Sequence, residues 1–416
     1  MKIKESLLLA TLAPLAGLFT AAQAAPLVSI GDNVDVFFNG SSSLQWESNV
    51  FHDEKKERDD LKFTVSPGFE VNVGRGVSNL DLSIITRYDI IRYDDLSDLD
   101  NELFHIKAIS SYKSSRWDVN GLVSFDESQS TTGDGNDNRR GKLTESDNTA
   151  ARLNGEYRLS PKFSVGSGVN YSDREYTGND DTLADRETYT VPVDIFYELT
   201  PKVDLSIGYQ YTTSDVGSTE NLVNFGGGPT GYKIGSYDSE GHFFNVGARG
   251  NLLPKLSGFF KVGYRTNDSD DSSVQEFVNG VGGAVRSTNR DSSGTMGLDA
   301  DLTYLATPKV TTALRLHRGF GIGGEGQSTE NTSADLSASY SINTNYSASA
   351  NFGYTLREYD ESDREDNVYR TGLRLSYVPN QYWRFSTGYR YSENDSDRKG
   401  QSYESHTIDL TASLRY

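Results

Sequence analysis

Two kinds of connection alternate along this chain, and they restrict its fold more than any other feature. Short turns recur as "LSPK", "LTPK", "LLPK" and "ATPK", with Pro161, Pro201, Pro254 and Pro308 each lying between two segments of alternating apolar and polar residues. The other connections are long, polar and acidic, as in "ESQSTTGDGNDNRRGKLTES" and "SENDSDRKGQSYES". Because successive side chains of an extended strand point to opposite faces, each alternating segment predicts a strand with one apolar and one wet face.

The number and length of these segments predict a transmembrane barrel. We count about 18 strands of roughly ten residues, the length that a tilted strand needs to cross a bilayer. The predicted fold is all-β: an antiparallel up-and-down transmembrane β-barrel with short periplasmic turns and long acidic extracellular loops. Tyr and Trp residues near the strand ends support it, because their rings suit the headgroup level. A secreted β-sandwich or solenoid also has alternating strands, but its loops rarely lengthen on one side only.

The N-terminus predicts export. Lys2 and Lys4 precede the apolar stretch "LLLATLAPLAGLFT", and Ala22 and Ala24 form an A-x-A cleavage site, so residues 1–24 are expected to be a cleaved signal peptide. Residues 25–33 are then a short periplasmic segment, and residues 34–416 form a single barrel. The chain has no cysteine, so no disulfide is expected after export.

The C-terminal stretch "HTIDLTASLRY" alternates up to its last residue, with Leu410, Leu414 and Tyr416 on the apolar face. A barrel in lipid must pair its last strand with its first, because no backbone group can stay unpaired there. The stretch resembles the signal read by the barrel-assembly machinery of Gram-negative outer membranes, although Tyr416 stands where Phe is most frequent. These features predict an integral outer-membrane protein in contact with lipid and lipopolysaccharide. The net charge of −19 excludes nucleic acid as a main partner.

The polar face of the last three strands is basic, and in a barrel of this width it would line an aqueous lumen. Because "VPNQ" forms a short turn, we expect neighbouring arginines of the last hairpin to lie at matching heights, in two pairs. Their number, without adjacent carboxylates, favours contact with an anionic solute. The predicted basic wall consists of Arg370, Arg374, Arg384, Arg390 and Arg415.

Strands eight and nine, roughly across the barrel, offer Asp194, Glu198 and Asp204 as an acidic wall. Facing basic and acidic walls would create a transverse field that orders charged solutes in transit. The alternative is that these charges only pair with their neighbours along the wall and keep the lumen wet. Arg152 and Glu156 on strand six are of that kind.

The sequence contains no convincing motif for nucleotide binding, metal binding or hydrolysis. "GFGIGGEG" contains G-x-G-x-x-G, but it precedes a loop and a strand rather than a helix, so it does not predict dinucleotide binding. The histidines lack metal-ligand spacing, and no cysteine is present, so we expect neither a metal nor a cofactor. A hydrolase at the rim could use His52, His242 or His406, but nothing places a nucleophile beside a base. We therefore expect no catalytic residues and no enzyme.

The first hairpin carries a family resemblance. In "LQWESNVFHDEKKERDDLKFTVSPGFEV", the residues Asn49-Val50-Phe51 and Pro67-Gly68 resemble the "dNvf" and "Pgl" elements of the putative beta-barrel porin 2 family. The resemblance is sharpest over residues 34–73, and Glu47 departs from it, since many relatives have Asp there.

The resemblance implies a function that periodicity alone does not give. Members of this family are outer-membrane proteins often associated with exopolysaccharide assembly, and some look like 18-stranded secretion channels beside a periplasmic polysaccharide export protein. The resemblance therefore implies a conduit for a secreted polysaccharide. Two alternatives remain: a diffusion porin for small anionic or sugar solutes, and a surface adhesion or structural barrel.

Overall fold

The computed structural model describes residues 25–74, 78–131, 143–177, 182–224, 228–288, 290, 292–360 and 362–416. The predicted signal peptide, including Ala22 and Ala24, lies outside the described residues. In the described ranges the helical structure is limited to the short 3-10 turn Ser97–Leu99, and no helix there is long and apolar enough to cross a membrane.

Eighteen long antiparallel strands form one closed sheet in the described part of the chain, which confirms the predicted fold and strand number. Each strand pairs with the one before and after it in sequence, through short turns at one end and loops at the other. The barrel strands are β2 (Val34–Glu47), β3 (Asp60–Val73), β4 (Leu80–Tyr93), β5 (Asn101–Lys113), β6 (Trp117–Ser130), β7 (Thr144–Arg158), β8 (Phe163–Thr177), β9 (Arg186–Thr200), β10 (Val203–Val216), β13 (Tyr237–Leu253), β14 (Leu256–Ser269), β18 (Ser293–Thr307), β19 (Val310–Ile322), β20 (Ser328–Ser341), β21 (Tyr346–Tyr359), β22 (Glu365–Tyr377), β23 (Trp383–Ser396) and β24 (Tyr403–Arg415).

The barrel closes between its last and first long strands. Leu410 of β24 lies opposite Leu44 of β2, and Tyr416 donates its backbone N–H to the Phe38 carbonyl at 2.9 Å. A three-residue strand, β1 (Val28–Ile30), pairs with β2 at Val34–Val36, just beyond the end of β24. Part of the segment predicted as a periplasmic extension therefore continues the sheet at the seam.

The strands are longer than the sequence pattern predicted. They contain 13 to 17 residues, because the hairpins continue to pair through the polar residues that sequence reading assigned to loops. As a result, three of the described outer connections, at 323–327, 360–364 and 397–402, are about as short as the periplasmic turns.

Two of the outer loops form a small sheet of their own. Its strands are β11 (Thr219–Asn224), β12 (Pro229–Ile234), β15 (Ser272–Val278), β16 (Val281–Gly282) and β17 (Arg286–Thr288). The pairing of β12 with β15 joins the loop that follows β10 to the loop that follows β14. Backbone pairing between these two long loops therefore holds each of them in a defined conformation.

The outer face is apolar at mid-strand and aromatic near the short turns. Leu410 has 60% of its surface exposed, as expected for a side chain that faces lipid. Near the turns, Trp117 packs on Tyr157 and Tyr346 stacks on Tyr377, both with ring centroids 4.6 Å apart. Such rings suit the headgroup level on the periplasmic side.

Candidate functional site

The candidate functional site is the inner face of the barrel, where alternate side chains of each strand meet. On β23, Trp383 and Phe385 stack on each other outside, so Arg384 between them lies on the inner face. The same alternation places all five residues of the predicted basic wall on the inner face.

Two of these arginines are paired, contrary to the expectation of a wall without carboxylates. Arg374 contacts Asp409 of β24 at 2.9 Å, crossing β23 over Gly388, where no side chain stands in its way. Arg415 contacts Glu70 of β3 at 2.8 Å and lies over the ring of Phe37. Both ion pairs cross an intervening strand, so they reinforce the wall around the seam.

The other three arginines are exposed on the inner face, and Arg390 is attracted by the charge of Glu47 on β2. In the described ranges, Arg370, Arg384 and Arg390 form no ion pair. These guanidinium groups are therefore available to a solute in the lumen.

The predicted heights of the arginines were wrong. Arg374 lies opposite Gly388 rather than beside Arg384, and Arg390 lies opposite Gly372 rather than Arg370. The cause is the turn, which extends over residues 378–382 and shifts the register beyond what "VPNQ" alone suggested. The arginines are consequently staggered along the strands and do not form level pairs.

The predicted acidic residues Asp194, Glu198 and Asp204 lie on the inner face of β9 and β10, and the charges of Asp194 and Asp204 are compensated. Lys261 contacts Asp194 at 2.7 Å. Arg249 contacts Asp204 at 3.1 Å and binds Glu156 through two hydrogen bonds of 2.8 Å. The expected transverse field between two uncompensated walls is therefore wrong, and the hydrogen-bonded cation of Glu156 is Arg249 of β13 rather than an arginine of its own strand.

These cations connect strands that are not neighbours. Arg249 of β13 reaches Glu156 across β8, β9 and β10, and Lys261 of β14 reaches Asp194 across β10 and β13. Gly208 of β10 lies directly opposite Asp194, and a Cβ there would overlap the Asp194 carboxylate. The inner-wall glycines therefore let long side chains lie flat along the wall.

The sequence pattern singled out neither the cations of this wall, Arg249, Lys261 and Arg265, nor Phe243. Arg249 lies 3.5 Å over the ring of Phe196, and Arg265, which pairs with Asp299, lies 3.7 Å over the ring of Phe243. The adjacent phenylalanines in "HFFNVGARG" do not reveal which one faces inward. The polar run Asn245, Gly247 and Arg249 at every second position assigns Phe243 to the inner face, and it is the signal that could have found it.

The Asn49-Val50-Phe51 element of the family motif lies at the extracellular end of the barrel, whereas Pro67 and Gly68 lie in the middle of β3, opposite Gly40 and Asn39. Asn49 is fully buried, and its Nδ2 donates to the carbonyls of Asp53 at 2.9 Å and Glu404 at 3.0 Å. Val50 and Phe51 pack on Leu99 from the loop after β4. This element therefore ties the first loop to β24 and to its neighbouring loop.

A second set of contacts joins outer loops at the extracellular end of the barrel, which we call the mouth. Ala184, which precedes β9, donates its N–H to Gly324 at 2.8 Å, and Tyr237 donates its hydroxyl to Gly326 at 2.7 Å. Val216 is fully buried between them. The turn of the glycine-rich stretch, residues 323–327, is thus packed against these residues at the extracellular end of the barrel. These contacts join the loop before β9 and the ends of β10 and β13 to the turn between β19 and β20.

The histidines considered for a rim hydrolase have other contacts. His242 and His406 share hydrogen bonds of 2.8 and 2.9 Å with Tyr209 and Tyr389 on neighbouring strands. His52 lies edge-on to the ring of Tyr403, with centroids 4.5 Å apart.

Comparison with known proteins supports the family through the second part of the chain. Residues 231–416, a little less than half of the sequence, match the model of the family described as Putative beta-barrel porin 2. This range includes β13 to β24, whereas the first hairpin, which suggested the family, lies outside it. No curated protein sequence matches the chain.

Solved outer-membrane barrels resemble the chain in outline. The ferric-catecholate import receptor Fiu from E. coli K12 has 10% identity and a TM-score of 0.49, over 92% of this chain and 82% of its own. OpdK from Pseudomonas aeruginosa has 7% identity and a TM-score of 0.41, over 92% and 99%. A bacterial polysaccharide outer membrane secretin has 10% identity and a TM-score of 0.34, over 92% and 98%.

Similarity at this level transfers no activity, so the function must be argued from the lumen itself. The barrel is of the outer-membrane, porin-like channel type. Over residues 231–416, its sequence matches the model of the putative beta-barrel porin 2 family.

Proposed function

We propose that this protein is an integral channel of the Gram-negative outer membrane that exports a polysaccharide carrying negative charge. The observation that carries the proposal is the row of three unpaired arginines on the inner face of β22 and β23, Arg370, Arg384 and Arg390. The resemblance to a family associated with exopolysaccharide assembly supports the same substrate class.

The spacing of the row suits a chain better than a small solute. Arg384 and Arg390 are six residues apart on β23, which corresponds to about 20 Å along the strand. Arg370 lies opposite Ser392, two residues further on, so that the row extends over about 26 Å. A small anion contacts one of these groups at a time, whereas a polymer contacts several. Spaced, solvated contacts also allow release, which conduction requires.

We further propose a periplasmic polysaccharide export protein as a partner at the short turns. Four successive turns present an exposed lysine directly after proline: Lys162, Lys202, Lys255 and Lys309. Lys255 and Lys309 donate to the carbonyls of Ala306 and Ile342 in the next turns, at 3.1 and 3.0 Å, so the rim is ordered. An acidic surface would complement it.

The second candidate is a diffusion porin for small anions, which would use the same three arginines and would need no partner. A clean deletion separates the two functions, with sugar analysis of cell-bound and released polymer. Export predicts that surface polysaccharide is lost, that the intact gene restores it, and that a gene carrying Arg370→Ser, Arg384→Ser and Arg390→Ser restores it less well. Unchanged polysaccharide with slower uptake of small anions would overturn export in favour of the porin.

A further inference from the structure

We infer that the wall between β6 and β19 holds a binding site for an uncharged sugar unit, so that the exported polymer would contain neutral pyranose residues beside charged ones. The role in export rests on the proposed function, whereas the binding of sugar does not. The site is a cavity of about 600 Å³ on the inner face, which we call the amide cavity. Its amide side chains are Asn120, Asn154, Asn170, Gln210 and Asn245.

The amide cavity has the size and chemistry of a ligand site. Small-molecule sites have volumes of about 300–1,000 Å³ and combine apolar walls with a few well-placed polar groups. The lining includes Phe196, Phe243 and Phe259 together with the five amides. An amide offers both donors and acceptors, as a sugar hydroxyl does, and neither group is charged.

Most of the charged groups that line the cavity are held in ion pairs. Lys261 is held by Asp194, and Arg315 contacts Asp301 at 3.2 Å. Arg249 is held by Glu156 and Asp204 as described above. An anionic ligand would therefore compete with carboxylates already in place, whereas a neutral ligand leaves these ion pairs intact. In this respect the amide cavity is the opposite of the wall that contains Arg370, Arg384 and Arg390.

One amide lacks a partner. Asn245 is 6% exposed, and its Oδ1 accepts no hydrogen bond from any described group. A buried acceptor without a donor costs free energy, so native proteins rarely leave one unsatisfied. Gly208 lies directly opposite Asn245 on β10, and because it has no Cβ, the Asn245 amide and the Asp194 carboxylate lie side by side above it. A ligand hydroxyl that approaches Asn245 Oδ1 from the amide cavity would supply the missing donor.

One aromatic ring is available to the apolar face of a sugar. The rings of Phe196 and Phe243 are covered by Arg249 and Arg265. Among the described phenylalanines of the lining, Phe259 is the one without a stacked cation. A pyranose ring presents C–H groups on its faces and hydroxyls around its edge. It could therefore lie against Phe259 and donate a hydroxyl to an amide of the same cavity.

The test uses the full-length barrel in a planar bilayer. Current interruptions are recorded with maltohexaose and cellohexaose, two uncharged oligosaccharides, and with polyethylene glycol of similar size as a control for exclusion. We expect both sugars to block the channel in a concentration-dependent manner. Asn245→Leu and Phe259→Ala should each raise the dissociation constant about three- to tenfold, the effect of losing one hydrogen bond or its packing equivalent.

The matched control is Asn351→Leu, which changes an inner-face asparagine on β21 outside the amide cavity and should leave the block unchanged. Heat-dependent gel mobility shows whether each variant has folded. Absence of block by both sugars in the wild type would overturn the site, and so would dissociation constants of Asn245→Leu and Phe259→Ala that equal the wild-type value. A deletion strain with normal polysaccharide would overturn export and leave the site standing, so the two failures are distinguishable.

Discussion

The two walls of the lumen hold similar residues in different states. On β22 and β23, Arg370, Arg384 and Arg390 form no ion pair in the described structure. On β13 and β14, Arg249 and Lys261 are bound to carboxylates, some of them on strands far around the barrel. The difference shows that inward-facing charge alone does not define a solute path. Pairing decides whether a cation recognises a solute or holds the wall together.

The largest expected effect comes from breaking the ion pairs of Arg249 and Lys261 on β13 and β14, which we call the paired wall. Arg249→Met leaves Glu156 and Asp204 without their shared cation, and both carboxylates are mostly shielded from solvent. Removing one partner of a buried ion pair costs about 3–5 kcal/mol, and we expect the lower end because the lumen is hydrated. Urea unfolding of the barrel in lipid measures the loss.

A second variant shows whether the loss comes from the ion pair. Arg249→Met combined with Glu156→Gln removes the uncompensated charge together with its partner, so part of the stability should return. Unfolding of Arg249→Met at the wild-type urea concentration would contradict a structural role for the paired wall.

The arginines of β22 and β23 that form no ion pair, which we call the unpaired wall, should affect ion selectivity and not the stability of the barrel. Substituting Arg370, Arg384 and Arg390 together by Ser removes three solvated charges that contact no carboxylate, so the free energy of unfolding should change by less than about 0.5 kcal/mol per site. The anion-to-cation permeability ratio, measured as a reversal potential across a salt gradient, should fall severalfold. A ratio equal to that of the wild type would mean that these arginines do not contact ions in transit.

The sequence predicted the faces of the strands and not their pairing. Alternation with period two was sufficient to assign the inner face to Arg384 and Arg390, because each strand reverses its side chains at every residue. Height depends on register, and register depends on where a turn begins and ends. The turn over 378–382 ends one residue beyond "VPNQ", and the first pair after it joins Tyr377 to Phe385, which is why Arg374 lies opposite Gly388.

The ion pairs between strands that are not neighbours could not be predicted from any local sequence pattern. Arg249 and Glu156 are separated by three strands of the sheet, and no spacing in the sequence encodes that distance. The motif at Asn49 was recognised through a resemblance, but its physical basis, a buried amide that ties two parts of the chain together, follows only from the fold.

The mouth above the unpaired wall should respond to pH. Burial lowers the pKa of His52 to about 4, from an ordinary value of 6.5. When the loop that contains His52 opens locally, its imidazole is exposed and regains the ordinary pKa of 6.5. As the pH falls from 7 to 5, this exposed imidazole binds a proton that the buried one does not, so the packed loop loses stability, by up to about 2 kcal/mol at pH 5. Hydrogen-exchange protection factors of residues 49–53, corrected for intrinsic rates, should decrease accordingly. His52→Asn, which tolerates the positive φ of 50° at this position, should abolish the pH dependence. Equal protection at both pH values in the wild type would contradict the account of His52.

The smallest effect should come from turning a paired arginine into an unpaired one. Asp409→Asn removes the carboxylate that holds Arg374, whose side chain is already 39% exposed. The anion-to-cation permeability ratio should rise by about twofold or less, because an exposed pair is worth only about 0–1 kcal/mol. A lower ratio would mean that Arg374 depends on Asp409 for its position in the lumen.

The most direct test of the two-wall account compares two solutes on one channel. Block by a charged oligosaccharide, such as hexagalacturonate, and by neutral maltohexaose is measured for the triple arginine variant and for Asn245→Leu. We predict that the arginine variant weakens the block by the charged sugar and keeps the block by maltohexaose, whereas Asn245→Leu raises the dissociation constant of maltohexaose and keeps the block by the charged sugar. If both variants weakened both sugars equally, or neither variant changed either, the lumen would not contain two separate binding walls.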